Sequence, residues 1–274
     1  MKTFVNFGGG GARGIIGCGA AKAIAERESF DAIIGSSVGS LNGAMMFTGR
    51  VKELEEIWLN IRTRDVCHFA PWKMTESCLY DVSPLRSLLT KYVDIQRVKT
   101  VIDKKFYIGM SSVQDWGQTY VDASTIATEA DFINALMASS AAPIAFPPVL
   151  VNGKHYYDAG MTSNYSVSEA VHLGADRIIC VAISIPEQTN VRSLIDAFEI
   201  ICAMPEYSQL QSEVNYVNKL NSIPGFKKIE VVVIRPPAPT GIQLLDFDLK
   251  GRDRKALIKM GYDLTVEALK GLNK

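Results

Sequence analysis

Ser37 lies at the centre of Gly35-Ser36-Ser37-Val38-Gly39, which has the spacing G-x-S-x-G. This spacing is typical of a sharp turn between a strand and a helix, where a strained backbone presents a serine hydroxyl. An apolar run from Asp31 to Ile34 precedes the motif, and a small-residue helical stretch from Leu41 to Phe47 follows it. The pattern predicts a nucleophilic serine, although small residues at this spacing also occur in ordinary turns.

A glycine-rich loop, Phe7-Gly8-Gly9-Gly10-Gly11-Ala12-Arg13-Gly14, joins the first predicted strand to the first predicted helix. The free N–H groups at such a helix start favour a negatively charged ligand. Read as G-x-G-x-x-G through Gly9, Gly11 and Gly14, the loop can hold a dinucleotide, which also requires an acidic residue at the end of the next strand. Asp31 has the right separation but lies at the start of that strand.

The position of Ser37 favours a different use of the glycine loop. In an α/β sheet, adjacent parallel strands end at one crevice, so we expect the loop and the serine to face each other. The N–H groups of Gly10 and Gly11, together with that of Val38, can then bind the oxygen of a tetrahedral intermediate. Losing one such donor typically costs about 2.7 to 4 kcal/mol of transition-state stabilisation.

A nucleophilic serine needs a base, and the chain has three histidines. His68 lies in an aromatic loop and His172 in a helical segment, while His155 precedes Asp158 by three positions on one predicted strand, so their side chains point to opposite faces. Asp158, at the end of that strand, is the best remaining candidate. Burial can raise its pKa from about 3.9 and make it a better base, so a Ser/Asp dyad is feasible.

Composition excludes several classes of function. The 274 residues contain 29 basic and 29 acidic side chains, so zero net charge gives no attraction to nucleic acid and no polybasic membrane anchor. No apolar stretch approaches the ~20 residues of a membrane span, and the N-terminus lacks a signal-peptide pattern. Five cysteines without a CxxC pair indicate free thiols, and Cys67-His68 lacks partners for a metal site. We expect a cytoplasmic protein.

Segments of strand type and helix type alternate along the chain, which predicts an α/β domain with a largely parallel sheet and helices on both faces. Expected strands cover 3–7, 32–35, 106–113, 118–122, 155–158, 177–183 and 229–234, and expected helices cover 12–27, 41–63, 131–139, 167–173, 191–220 and 254–272. We expect one domain, 1–274. Segments 65–80 and 191–224 are candidate caps over a site, although the apolar stripe of the second favours ordinary packing.

Three motifs in order resemble those of the patatin-like phospholipase family. They are Gly9-Gly10-Gly11-Ala12-Arg13-Gly14, the serine motif Gly35-Ser36-Ser37-Val38-Gly39 and the turn Asp158-Ala159-Gly160. Residues 138–149 are similar to the block that precedes the family's aspartate, and 173–176, 246–248 and 261–262 look like bacterial members. The resemblance thus covers most of the chain and implies a three-layer α/β/α fold.

By this resemblance, Ser37 is the nucleophile and Asp158 the general base. Gly10 and Gly11 form part of the oxyanion hole, and Arg13 helps to hold the loop. The resemblance implies no cofactor, metal or catalytic histidine. The implied function is a serine lipid acyl hydrolase of phospholipase A or lysophospholipase type, whose lipid ester substrate can bring it into peripheral contact with a membrane.

One departure and several alternatives accompany this interpretation. Ala159 stands where the family usually has glycine, which predicts a differently shaped Asp158 turn and a reduced or retuned activity. An esterase, thioesterase or acyltransferase acting on other acyl esters would use the same residues. A nucleotide- or phosphate-binding protein would use the glycine loop alone, and an inactive scaffold would keep only the fold. Head group, acyl position, chain length and oligomeric state are not encoded in these motifs.

Overall fold

The computed structural model describes residues 1–184 and 190–271. Within these ranges the strands are β1 (Thr3–Phe7), β2 (Ala32–Gly35), β3 (His68–Phe69), β4 (Tyr80–Asp81), β5 (Lys105–Ser112), β6 (Gly117–Asp122), β7 (Val149–Val151), β8 (Lys154–Tyr157), β9 (Arg177–Val181) and β10 (Glu230–Ile234). The α-helices are α1 (Gly14–Arg27), α2 (Val38–Phe47), α3 (Val51–Asn60), α4 (Ser83–Tyr92), α5 (Ile95–Thr100), α6 (Glu129–Ser139), α7 (Val167–His172), α8 (Leu194–Asn221) and α9 (Arg254–Lys270). Short 3-10 helices occupy several of the connections.

The central sheet is mixed and mostly parallel. Its order is β10-β9-β1-β2-β5-β8-β7, with β6 also paired to β5. Strands β10, β9, β1, β2 and β5 run parallel, whereas β6, β7 and β8 are antiparallel to their neighbours. Phe7 at the end of β1 pairs with Gly35 of β2 and Val181 of β9, so these three strands end together. The loops that follow them therefore share one edge of the sheet.

Both faces of the sheet are covered by helices, because the side chains of its inner strands are apolar on both sides. Val5 and Ile33 pack into a core with residues of α1, α2 and α9. Phe4 and Ile34 point the other way and pack against α7 and α8. The predicted three-layer α/β/α architecture is confirmed.

The structure corrects three details of the predicted helices. The helix expected over 41–63 is two helices, α2 and α3, because Gly49 has a φ of 70° that ends the first. Helices α4 and α5 were not predicted. In the long helix α8, the apolar stripe is only partly buried, since Ile201 and Met204 are exposed, and the buried residues there include Glu199 and Glu206.

Two further observations concern membranes and thiols. Among the helices in residues 1–184 and 190–271, none is both long enough and apolar enough to cross a bilayer. All five cysteines are free, and each except Cys202 is buried.

Candidate active site

Ser37 occupies the turn between β2 and α2. Its φ of 53° and ψ of −133° lie in a region that residues with a side chain rarely adopt. The Ser37 N–H donates a hydrogen bond to Ser139 Oγ at 2.9 Å, and its carbonyl accepts one from the Ser40 N–H at 2.9 Å. A methyl group on Gly39 would lie 2.2 Å from the Phe7 carbonyl oxygen, so only glycine lets α2 begin this close to β1.

The glycine loop follows β1 and lies beside Ser37. A methyl group on Gly9 would lie 2.7 Å from Ser37 Cβ, which shows how closely the loop approaches the serine. Gly10 and Gly11 have φ values of 144° and 54°. A side chain on Gly11 would also collide with the Leu244 carbonyl oxygen, 2.1 Å from the position of its Cβ. The loop therefore requires glycine at these positions.

The backbone N–H groups of this loop differ in their hydrogen-bond partners. The Gly9 N–H donates to Asn164 Oδ1 at 2.7 Å. In the described part of the chain, the N–H groups of Gly10 and Gly11 donate to no acceptor, and both residues line the cavity at Ser37. Val38, the first residue of α2, has no intrahelical acceptor for its N–H and lines the same cavity.

Asp158 directly follows β8 and lines the same cavity as Ser37. Its N–H donates to the Ala141 carbonyl at 2.9 Å, and its own carbonyl accepts the Ser111 hydroxyl at 2.8 Å. The carboxyl oxygen Oδ1 accepts the Gly160 N–H at 2.8 Å. Because backbone bonds fix the residue on both sides, the carboxyl has a defined position.

Burial raises the pKa of Asp158 to about 6, and the Ser37 hydroxyl and the Gly160 N–H, which favour the charged form, lower it only in part. A carboxyl with this pKa is ionised at neutral pH and is more basic than an exposed aspartate.

The turn at Ala159 differs from what the sequence led us to expect. Residues Ala159–Met161 form a short 3-10 helix, and the φ angle of Ala159 is not positive. Alanine at this position is therefore unstrained, so the backbone argument for a reshaped turn does not hold.

Arg13 is fully buried behind the glycine loop. Its Nη2 lies 2.6 Å from Glu199 Oε2 on α8, and its Nε donates to the Ile242 carbonyl at 2.9 Å. Glu199 also accepts the Leu244 N–H. Arg13 thus connects the start of α1 to α8 and to the segment that packs against Gly11.

The cavity at Ser37 is lined mainly by apolar side chains. Of the described residues that line it, those with an acidic or basic side chain are Asp158 and Glu206, and none is a lysine or arginine. Other lining residues come from α2, α3, α4 and α8, and from the segments 140–146 and 244–247, among them Leu41, Trp58, Leu85, Leu89, Phe146, Phe198 and Phe247. The arrangement suits a hydrocarbon chain that ends at the serine hydroxyl.

The two candidate caps contribute unequally to the cavity, and the histidines lie outside it. Helix α8, within 191–224, contributes Phe198, Ile201 and Glu206 to the cavity wall, whereas 65–80 contributes Val66. His68, His155 and His172 are all exposed and line no part of the cavity.

Asp31, the acidic residue weighed for a dinucleotide, binds elsewhere. Its Oδ2 accepts the Thr3 N–H at 2.7 Å at the start of β1, the opposite end of that strand from the glycine loop. It is therefore too far along the strand to hold a ribose beside Gly9, Gly11 or Gly14.

Sequence reasoning missed three polar residues of this site. Ser139 and Asn164 bind the backbone of Ser37 and Gly9, and Glu206 places a second carboxyl in the cavity wall. No motif spacing marks Glu206, since a glutamate in a helix is usually solvated. Asn164 follows Asp158 by six residues, and none of the motifs found in the sequence includes it.

Comparison with known proteins identifies the class of protein to which this fold and site belong. A family model described as patatin-like phospholipase matches residues 6–171, more than half of the chain. The chain belongs to the patatin-like phospholipase family.

Particular relatives are similar at low identity. The lysophospholipase NTE1 of Candida glabrata is 25% identical over 253 residues, and that of Saccharomyces cerevisiae is 26% identical over 253 residues. Each match covers 84% of this chain but 14% of the relative, so the chain corresponds to a small part of these proteins. The crystal structure of VipD from Legionella pneumophila has the same fold, with a TM-score of 0.50 and 14% identity over 98% of this chain and 67% of VipD.

Proposed function

We propose that this protein is a serine lipid acyl hydrolase of phospholipase A or lysophospholipase type that uses Ser37 and Asp158 as a dyad. The observation that carries the proposal is that both side chains line one apolar cavity, together with the unengaged N–H groups of Gly10 and Gly11. The family and the NTE1 relatives support the same interpretation.

In the proposed reaction, Asp158 accepts the proton of the Ser37 hydroxyl as its oxygen attacks the acyl carbonyl. The negative charge that forms on the carbonyl oxygen is bound by the N–H groups of Gly10, Gly11 and Val38. Collapse of this intermediate breaks the ester bond, and Asp158 returns the proton to the departing alcohol. The same carboxylate then takes a proton from water as the water attacks the acyl-enzyme. The bond between the acyl group and Ser37 breaks, the proton passes from Asp158 to the Ser37 oxygen, and a fatty acid is released.

The pKa of about 6 suits Asp158 to both steps. At neutral pH the carboxyl is ionised and can accept a proton, and its raised pKa makes that transfer less unfavourable than for an exposed aspartate. We therefore expect kcat/KM to rise with pH through about 6, as the base form becomes populated.

The cavity wall supports an acyl chain as the bound group. Its described lining has no lysine or arginine that would pair with a phosphate, and it carries apolar side chains from four helices. This counts against a nucleotide or a free phosphate as the ligand. A thioesterase or acyltransferase would use the same geometry, so rates on lysophospholipid, phospholipid, acyl-CoA and short soluble esters separate these activities.

The test of the dyad is a fluorophosphonate probe together with hydrolysis of a lysophospholipid. Wild type should be labelled and active. Ser37→Ala should lose both properties because the attacking oxygen is gone, and Asp158→Asn should lose at least about 100-fold in turnover because no base remains.

The neighbouring serine provides a matched control. Ser36→Ala removes a hydroxyl one residue away, whose only hydrogen bond among the described residues is a long one of 3.5 Å to the Ser163 carbonyl. It should still be labelled. Hydrolysis that persists in Ser37→Ala would show that the proposed nucleophile is wrong.

We also propose that the protein meets its substrate at a lipid surface through exposed apolar side chains near the cavity. Phe69 and Trp72 are 61% and 74% exposed, and Leu79 and Tyr80, later in the same segment, bond to the carbonyls of residues 144 and 145. These two residues lie between Pro143 and Phe146, which line the cavity.

A further inference from the structure

Glu206 is a buried carboxyl that the proposed mechanism does not use. It lies in the middle of α8, directly after Pro205, and both residues line the cavity that contains Ser37 and Asp158. The residue is 6% exposed, whereas its chain neighbours Met204 and Tyr207 are exposed to solvent. The helix therefore turns this carboxyl toward the site, beside the apolar Pro205.

Gly160 brings Glu206 close to the proposed base. A methyl group on Gly160 would lie 2.8 Å from Glu206 Oε1 and 3.1 Å from Asp158 Oδ1. The two carboxyls thus flank one backbone position, and the lack of a side chain there is what allows their approach. The Gly160 N–H binds Asp158, so the turn that fixes the base also contacts Glu206.

The surroundings of Glu206 compensate a negative charge only in part. Its Oε2 is buried and has no hydrogen-bond partner among the described residues. The charged and titratable groups that interact electrostatically with Glu206 come from several elements. They are Arg13, Asp158, Tyr165, Glu199 and Cys202.

Arg13, the cation among these groups, forms an ion pair with Glu199. An ionised Glu206 would therefore be a second anion beside Asp158, with one oxygen that accepts no hydrogen bond.

We infer that Glu206 is a further functional residue of the proposed reaction: a second carboxyl beside the Asp158 turn, which must stay uncharged for Ser37 to be acylated. The inference rests on the proposed function. Glu206 transfers no proton in it, since Asp158 both takes and returns the proton. Its role is electrostatic, because an anion at this position would oppose the negative charge that forms on the carbonyl oxygen.

The pKa of Glu206 sets the pH above which this carboxyl no longer stays uncharged. Burial raises the pKa of Glu206 to about 8, the nearby charge of Asp158 raises it as well, and the Ser184 hydroxyl and Arg13 oppose the rise. Below that pH the carboxyl is neutral, and above it the carboxyl ionises. The site is therefore competent between two limits, with Asp158 ionised above about 6 and Glu206 protonated below about 8.

The experiment is a pH profile of kcat/KM on a soluble acyl ester for wild type and Glu206→Gln, from about pH 5 to about pH 10. Wild type should give a bell-shaped profile. Glu206→Gln, whose amide cannot ionise, should keep the rise near pH 6 and lose the fall near pH 8. One unit above that limit, wild type should have fallen about tenfold from its plateau, while the variant stays on its own plateau.

Two controls isolate this effect. Ser37→Ala, measured at every pH, gives the base-catalysed background, and residual enzymatic hydrolysis in it would overturn the proposed function rather than the role of Glu206. Glu213→Gln removes another mostly buried carboxyl of α8, whose oxygens accept hydrogen bonds from Ser163, Val167 and Ser168 and which does not line the cavity. It should retain the fall at alkaline pH.

A measurement without activity completes the test. In wild type labelled with ¹³C at the glutamate side-chain carboxyls, one resonance should titrate near pH 8 and be absent from Glu206→Gln. An alkaline limb that is missing in wild type, or one that persists in Glu206→Gln, would overturn the inference, as would a Glu206 resonance that titrates near an ordinary pKa.

Discussion

Ser37 combines a buried, defined position with a backbone conformation that side-chain-bearing residues avoid. Such conformations typically cost about 1–3 kcal/mol and persist only where surrounding contacts hold them. Here those contacts are the hydrogen bonds to Ser139 and Ser40 and the close packing at Gly39. The strained backbone presents the hydroxyl to the cavity, so the orientation of this one oxygen lowers the stability of the fold.

This strain predicts that Ser37→Gly stabilises the protein while it removes the proposed nucleophile. Glycine adopts a φ of 53° without penalty, and after its greater chain entropy we expect a net gain of about 1 kcal/mol, or roughly 2 °C in Tm. Thermal unfolding monitored by circular dichroism measures it. Ser37→Ala, which also lacks the hydroxyl but keeps the strain, is the matched control, and a glycine variant no more stable than the alanine variant would contradict the prediction.

Motif spacing in the sequence predicted some residues of the proposed site, and residues that belong to no motif were not predicted. The glycines and Ser37 follow from local backbone requirements that only certain residues satisfy, and Asp158 was found because the histidines were poor candidates. Glu206 and Asn164 reach the site only through the packing of α8 and of the segment after β8. Their positions depend on contacts more than 40 residues apart in the chain, which no local pattern records.

Among the elements, the segment from Asp158 to Ser166 connects the proposed base to the glycine loop. Asn164 within it accepts the Gly9 N–H, and Asn6 of β1 donates to the carbonyls of Tyr165 and Ser166 at 2.9 Å. The segment is thus fixed both to the loop and to the strand that precedes it. Any displacement of the segment would move Gly9 and Asp158 together.

Asn164→Ala should therefore reduce kcat by about tenfold, because a buried Gly9 N–H without an acceptor costs about 1–3 kcal/mol and allows the loop to shift. KM should change less, since the apolar wall is untouched. Asn6→Ala removes two hydrogen bonds to the same segment without touching the loop, so it should lower Tm with a smaller effect on kcat. Steady-state kinetics and thermal unfolding of both variants check this, and equal losses of kcat would contradict it.

The alternation of strand-type and helix-type segments predicted the layers of the fold correctly. It did not predict where each helix ends or which of its faces is buried. Apolar runs in β1, β2 and β9 identified the buried parallel strands, because strands covered on both sides are apolar throughout. The two-helix structure of 41–63 depends on the conformation of Gly49, which an apolar period cannot reveal. Helix α8 turns carboxyl groups toward the interior of the protein, where Arg13 and backbone N–H groups bind them.

For the whole molecule, apolar side chains are exposed around the same cavity that admits the proposed substrate. Phe69, Trp72 and Met74 are exposed in the segment 65–80, and Ile201 and Met204 on α8. Net charge is zero, so attraction to an anionic surface is weak and contact with lipid would depend on these side chains. The predicted contact is therefore insensitive to salt.

Trp72→Ala should weaken binding to phosphatidylcholine vesicles by about tenfold, the effect expected for losing one large buried apolar side chain. Co-sedimentation with vesicles at low and high salt measures it. Trp116→Ala removes a tryptophan that is 91% exposed in the turn between β5 and β6 and lines no part of the cavity. It should bind as wild type does, and an equal loss in both variants would argue against the proposed surface.

The end of α6 has a consequence for how such a site can diversify. Ser139 binds the backbone of Ser37, and Ala141 binds that of Asp158, so one stretch of three residues sets the separation of the two proposed reacting groups. Helices α4 and α8, which shape the apolar wall, contribute nothing to that separation through these bonds. Substitutions among the apolar side chains of α4 can therefore change substrate preference while the separation of the two proposed reacting groups stays the same.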